Sequence, residues 1–255
     1  MKRARIQELP FSKVIPNIVT LSSICVGFSS VRFALNDRFE LAVSLIFIAA
    51  ILDTLDGRLA RLLGTDSHFG AELDSLADFV CFGVAPALIV YLSSLQQLGS
   101  VGWSIVLFFV ICQALRLARF NTALIAPAET KPEWTKLFFT GIPAPAGALL
   151  SLLFLMVDFA TGYDLKSMPI LNAILLFAVG LMMVSKIPTF SLKGCKIKHT
   201  YLLPIMLAVG ATIIAFINAP WHTLAGIGIL YILTIPFSYR QYRKYAASSP
   251  DLESE

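Results

Sequence analysis

Charge is what this chain has least of. Only 14% of its 255 residues are Asp, Glu, Lys or Arg, while 57% are hydrophobic, against roughly 25% charged and 45–50% apolar in soluble domains. With a mean hydropathy of +0.77, the composition excludes a soluble domain and predicts an integral membrane protein. Four cysteines stand far apart, at Cys25, Cys81, Cys112 and Cys195, and the three histidines, His68, His199 and His222, are single and scattered. Neither a CxxC metal site nor a disulfide framework is present, so the cysteines read as packing residues. No basic run is interleaved with aromatics, which excludes a nucleic-acid partner; the net charge of +4 points instead to anionic lipid. The opening MKRARIQELPFSKVIP lacks an A-x-A type cleavage site and runs into a full-length apolar segment, so it reads as a cytosolic lead-in rather than a removed signal. Internal repeats and Pro- or Ser-rich linkers are missing too. One domain over residues 1–240 is expected, followed by a short polar cytosolic tail, 241–255.

What the chain does have is long apolar runs. They fall near residues 15–35, 39–62, 72–95, 101–120, 143–161, 168–185, 200–218 and 221–239, each close to the roughly 20 residues a spanning helix needs. The expected fold is all-α: a polytopic transmembrane helical bundle of about eight spans, with six or seven left open because carboxylates interrupt the second and third runs. With eight spans and both termini cytosolic, all of the 20 basic residues except Arg32, Arg38 and Lys166 fall on the cytosolic side, as the positive-inside rule requires.

Against that background residues 51–80, ILDTLDGRLARLLGTDSHFGAELDSLADFV, are anomalous, with six carboxylates and two arginines. Asp53 and Asp56 lie one turn apart on one face of the second span, and Asp74 and Asp78 one turn apart on one face of the third. If the chain turns near Asp66, both pairs sit at similar depth and can converge. A lone acid at a helix end is a solvated charge. Four at helical spacing repel one another and are expensive in a bilayer unless a cation joins them. An all-oxygen set suits Mg²⁺ or Mn²⁺, which commonly bridge carboxylates to substrate phosphates. Gly57 and Gly70 each cost about 1 kcal/mol in a helix relative to Ala. They serve either close helix packing or, with Ala60 beside Gly57, an uncluttered face for a flat ligand. Arg61 is either an interfacial cation or a phosphate-binding group. Asp66 and Glu72 read as solvated loop charges.

The pattern Asp53-x-x-Asp56-Gly57-x-x-Ala60-Arg61, eight residues, then Gly70-x-x-x-Asp74-x-x-x-Asp78, resembles the complete motif of the CDP-alcohol phosphatidyltransferases. The resemblance implies a helical membrane enzyme that displaces CMP from a CDP-linked lipid with an alcohol. It implies metal bound by Asp53, Asp56 and Asp74, with Asp78 sharing one ion and acting as general base, and CDP met by Gly57, Ala60, Arg61 and Gly70. Homodimers are usual among such enzymes.

The motif does not name the alcohol. Flanking stretches do lean one way: Asp74 to Ala87, Arg116-Leu-Ala-Arg119-Phe-Asn121, Pro16-Asn17-Ile-Val-Thr20, Phe139 to Pro145 and Val184 to Pro188 together resemble the membrane-embedded phosphatidylserine synthases. That likeness, over about residues 14 to 195, implies CDP-diacylglycerol and L-serine as substrates, phosphatidylserine and CMP as products, and a site facing the cytosol from the cytoplasmic membrane. Asn17 and Thr20 share a helix face, for a helix–helix hydrogen bond or, as the resemblance implies, for nucleotide contact. Arg116 and Arg119 share another, as snorkelling cations or as ligands for a serine carboxylate or lipid phosphate. Lys186, Lys193, Lys196 and Lys198 read as a solvated or lipid-facing loop. Two other functions compete: a related transferase using glycerol 3-phosphate or inositol, and a cation transporter. Transport would place acids near the midplane in both halves of a repeat, whereas these cluster in one hairpin.

Overall fold

The computed structural model describes residues 14–64, 67–125, 135, 137–190 and 201–247. The turn at Asp66, Lys131 and Lys136, and Lys193 through His199 lie outside them. Ten α-helices account for nearly all of it: α1 (Ile15–Leu35), α2 (Phe39–Leu63), α3 (His68–Asp78), α4 (Ala85–Ser93), α5 (Ser100–Ile125), α6 (Ala144–Ser151), α7 (Leu153–Thr161), α8 (Pro169–Val184), α9 (Leu202–Asn218) and α10 (Pro220–Ala247). Helices α3 and α4 form one continuous rod through a π-helical turn at Phe79–Val84. Pro86 stands in the first turn after it and has no N–H to return to the preceding turn. Helices α6 and α7 meet at a 46° bend at Leu152.

Among the described residues four helices are long and apolar enough to cross a membrane, Ile15–Leu35, His68–Ser93, Ser100–Ala123 and Pro220–Tyr245, and a fifth if the bent pair counts as one span. Helix α2 is 25 residues long but carries the aspartates, and α8 and α9 are shorter apolar helices. The outer surface is populated by large apolar side chains such as Phe28, Leu107, Ile174 and Ile214, all more than two-fifths exposed. Such a surface is a liability in water and a match for lipid. The protein is an integral membrane protein of all-α architecture.

One short ribbon joins the helices. Phe138–Thr140 (β1) and Pro188–Phe190 (β2) form a two-stranded antiparallel ribbon, with Phe139 opposite Thr189. Each strand is three residues long, and neither shows the alternation that marks a strand in sequence; β1 leads into α6 and β2 follows α8, and those two helices pack together.

Packing explains where the aspartates stand. The buried residues of α1 are Pro16, Thr20, Ser23, Gly27, Ser30 and Ala34, a seam of small residues spaced four and three apart. In lipid, where burial of apolar surface drives little, such seams let helices approach closely enough for dispersion and weak polar contacts to hold them. On α2 the matching seam is Ala42, Ile46, Ala49 and Asp56, and Asp53 occupies the remaining heptad position, so the first acidic pair prolongs a helix-packing face. Helix α1 also packs against α3, the π turn and α4. Its approach to the π turn is close: a Cβ on Gly27 would come within 2.5 Å of Cys81 Sγ, whose thiol donates to Ser23 O.

Candidate active site

The α2–α3 hairpin is shaped by its two helix ends. Gly64 closes α2 in the left-handed region, φ 58°, a conformation glycine adopts without penalty. Ser67 caps α3, its hydroxyl accepting from Gly70 N at 3.0 Å. The result brings Asp53, Asp56 and Asp74 together, with a carboxylate oxygen of each within 4.8 Å of the others. Asp78 adjoins Asp53 and feels Asp56. All four acids converge, as the spacing predicts.

Asp56 is only 3% exposed, and neither of its oxygens has a hydrogen-bond partner; nor has Asp78 Oδ1. Thr20 and the Gly57 backbone lie against Asp56, but the Thr20 hydroxyl donates to Pro16 O at 3.1 Å. At this spacing two ionised carboxylates repel by on the order of 3 kcal/mol at an effective dielectric of about 20. Buried carboxylate oxygens without donors, crowded and all hard, are the donor set a divalent cation requires. The residues fit such an ion: Asp53, Asp56 and Asp74 would hold it, with Asp78 beside them.

Next to the triad opens a cleft of about 640 Å³, into which Asp56 and Asp74 face together with Asn17, Thr20, Gly57, Ala60, Arg61 and Gly70. The structure therefore gathers in one place every residue that the sequence pattern and its flank nominate for the nucleotide. Nothing stands within 4 Å of a Cβ added to Gly57, so this glycine opens the cleft rather than admitting a neighbouring helix. Gly70 is different: an added Cβ would lie 3.2 Å from both Asn17 Oδ1 and Ser67 Oγ, so its bareness brings Asn17 up to the α3 N-terminus. Arg61 donates from Nε to Gly57 O at 3.0 Å, which folds its guanidinium back along α2. Glu72 and His68 are exposed on α3.

Arg116 and Arg119 are not among the residues lining the cleft. Arg116 donates from Nε to Ile142 O at 2.7 Å, and Arg119 from Nη1 to Val184 O at 2.7 Å. They tie α5 to the segment after β1 and to the carbonyl end of α8. Gly141, at φ 75°, makes that junction possible, since a Cβ there would sit 2.7 Å from Met183 O; its N–H donates to Ile187 O and its carbonyl accepts from Thr189 Oγ1. Both arginines thus have protein acceptors, an outcome the sequence reading did not contain. Arg116 also interacts electrostatically with Asp78 and with Tyr231 of α10.

Sequence reasoning missed the pair that joins α3 to α5. Asn121 Nδ2 donates to Ser75 Oγ at 3.0 Å, immediately after Asp74. Both residues lie within the flanking stretches quoted above, but no local spacing links positions 46 apart.

A family model for CDP-alcohol phosphatidyltransferases matches residues 13–244. The chain is 40% identical over 239 residues to a CDP-diacylglycerol–serine O-phosphatidyltransferase of Mycobacterium leprae, covering 92% of this chain and 77% of that one. It is 37% identical over 242 residues to the protein of the same name from Mycobacterium tuberculosis, covering 94% and 82%. With its Helicobacter pylori counterpart, strain 26695, identity is 38% over 196 residues, covering 76% and 80%. Since the match takes in nearly every described residue, with the aspartate cluster and the cleft inside it, the chain belongs to the CDP-alcohol phosphatidyltransferase family.

Proposed function

We propose that this protein transfers the phosphatidyl group of CDP-diacylglycerol to the hydroxyl of L-serine, releasing CMP. The observation that carries the reading is the triad of close carboxylates, Asp56 buried among them, opening onto a cleft that holds Asn17, Thr20, Gly57, Ala60, Arg61 and Gly70. Serine as the acceptor is supported by the flanking stretches and by the names of the relatives.

In this reading Asp53, Asp56 and Asp74 would hold Mg²⁺ or Mn²⁺, which would supply positive charge to neutralise the pyrophosphate and the charge growing on CMP. The bare face at Gly57 and Ala60 receives the nucleotide, Asn17 and Thr20 contact it, and Arg61 pairs with a phosphate. Asp78, on the far side of the cluster, takes the proton from the serine hydroxyl as its oxygen bonds to the phosphatidyl phosphorus. The bond from that phosphorus to the CMP oxygen breaks, and CMP leaves with the electron pair. Arg116 faces the incoming amino acid's carboxylate, while Arg119 holds the segment around Gly141 against α8. The diacylglycerol tails stay in lipid throughout. The finer expectations belong to the same proposal: a single domain over residues 1–240, eight spans with both termini cytosolic, a site facing the cytosol from the cytoplasmic membrane, and a homodimer.

CMP release by the purified protein with CDP-diacylglycerol and Mg²⁺ or Mn²⁺, comparing serine, glycerol 3-phosphate, inositol and no acceptor, tests this directly. Release that depends on serine is expected. Release with another acceptor would overturn the choice of alcohol, and no metal-dependent release with any would overturn the transferase.

Gly57→Leu offers a sharper check on the cleft. Because an added Cβ meets nothing within 4 Å and leucine is a better helix former by about 1 kcal/mol, thermal stability should hold or rise. The side chain then fills nucleotide space, so KM for CDP-diacylglycerol should climb by about tenfold or more. An unchanged KM would show that the nucleotide does not lie on this face.

A further inference from the structure

A second group of polar atoms, none of them lining the cleft, is buried without partners. Gln113 is fully buried, and neither its Nε2 nor its Oε1 has a hydrogen-bond partner; Asp78 Oδ1 is in the same condition, and so is the hydroxyl of Tyr231, with Thr189 as its polar neighbour. An unmet amide is costly in a membrane interior, where water cannot supply the missing bonds. Native structures keep such groups when a ligand or an ordered water completes them.

Three links place these atoms together. Gln113 stands on α5 one turn before Arg116, whose guanidinium interacts with both Asp78 and Tyr231. The Gln113 side chain lies across the π turn: its Cγ is 2.7 Å from where a Cβ on Gly83 would be, so only glycine there lets the side chain lie down. Gly83 follows Asp78 by five residues, one turn of a π-helix. The π turn, common at functional sites, therefore aligns Asp78 and the surface that carries Gln113.

The chemistry of this set is particular. It offers a guanidinium for an anion, an amide oxygen for a cationic N–H, a hydroxyl able to donate or accept, and a carboxylate beside them. A small molecule carrying a carboxylate, an ammonium and a hydroxyl satisfies all four; a polyol or a sugar phosphate leaves the amide oxygen without a charged donor. The geometry points to Gln113 and Tyr231 as acceptor-binding residues that, with Arg116, select an amino-acid zwitterion, Gln113 reading its ammonium. This inference rests on the serine-transferase reading above and adds the source of its specificity.

The test compares serine with glycerate, which keeps the carboxylate and the primary hydroxyl but has a hydroxyl in place of the ammonium, using the full-length protein and CMP release. Wild type should prefer serine, and Gln113→Leu should shrink the ratio of kcat/KM for serine to that for glycerate by about tenfold to a hundredfold, the worth of a hydrogen bond to a charged group. KM for CDP-diacylglycerol should not move. A general loosening of the bundle would lower both acceptors alike and leave the ratio intact, and an intact ratio overturns the inference. Tyr231→Phe removes one oxygen and no packing; it should raise KM for serine severalfold, and it stands in if Gln113→Leu does not fold, an unchanged serine KM then sinking the proposal. Wild-type release that ignores serine sinks the transferase reading itself, a result distinct from serine-dependent release with an unaltered ratio.

Discussion

Asp78→Asn is expected to lower CMP release by about a thousandfold, within the 10²–10⁴ that a positioned general base supplies, while the protein folds and binds CDP in the presence of Mn²⁺ as before. The substitution keeps the side chain's shape and removes its ability to take a proton. Asp78 lies beside Asp53 and outside the triad whose oxygens crowd within 4.8 Å, so metal and nucleotide retain their ligands. Its Oδ1 has no hydrogen-bond partner, and it faces Arg116 on the acceptor side; a base poised for an incoming hydroxyl stands in such a place. Paired assays of CMP release and calorimetric CDP binding separate the outcomes. Unchanged turnover would remove Asp78 from the mechanism, and lost CDP binding would move it into the metal site.

Asp56→Asn should separate stability from ligation. In chelator, the variant is expected to unfold at a higher temperature than wild type. One of three crowded charges is gone, and with it on the order of 1–3 kcal/mol of repulsion and unmet burial, since Asp56 is 3% exposed with both oxygens unpartnered. With Mn²⁺ at a hundred times its dissociation constant wild type gains about 2.7 kcal/mol by linkage and the variant gains little, so the gap closes or reverses. Unfolding midpoints in detergent, with chelator and with Mn²⁺, report both effects without reference to activity. A wild-type midpoint indifferent to the metal would show that the aspartates bind none.

The contrast between the two acidic pairs and the two arginines shows what kind of information a sequence carries. Asp53 with Asp56, and Asp74 with Asp78, are neighbours by helical periodicity alone, and Gly64 and Ser67 are capping residues whose chemistry is visible in the letters. Helix α1's seam of small residues is legible in the same way, because heptad spacing defines a face before any partner is known. Arg116 and Arg119 also share a face, yet what their guanidinium groups meet is Ile142 O, 26 residues on, and Val184 O, 65 residues on. Local spacing leaves them open as snorkelling cations or as ligands for an anion, and only the folded chain reveals their carbonyl acceptors. The β1–β2 ribbon escaped for the same reason, its strands too short to carry a period and paired only through the helices that deliver them.

Composition and periodicity therefore determined, without coordinates, that this chain is a helical membrane protein and that four carboxylates meet near one end of a hairpin. Those features rest on interactions three, four or seven residues apart, which backbone geometry dictates. The tertiary structure decided what lies around the carboxylates: an open face at Gly57, Asn17 brought up to the α3 N-terminus by the bareness of Gly70, Asn121 reaching Ser75, and Gln113 laid over Gly83 with its amide unmet. Each of these last three joins separate helices, and the close approach that makes the contact is set by packing in three dimensions, for which no spacing along the chain is a guide.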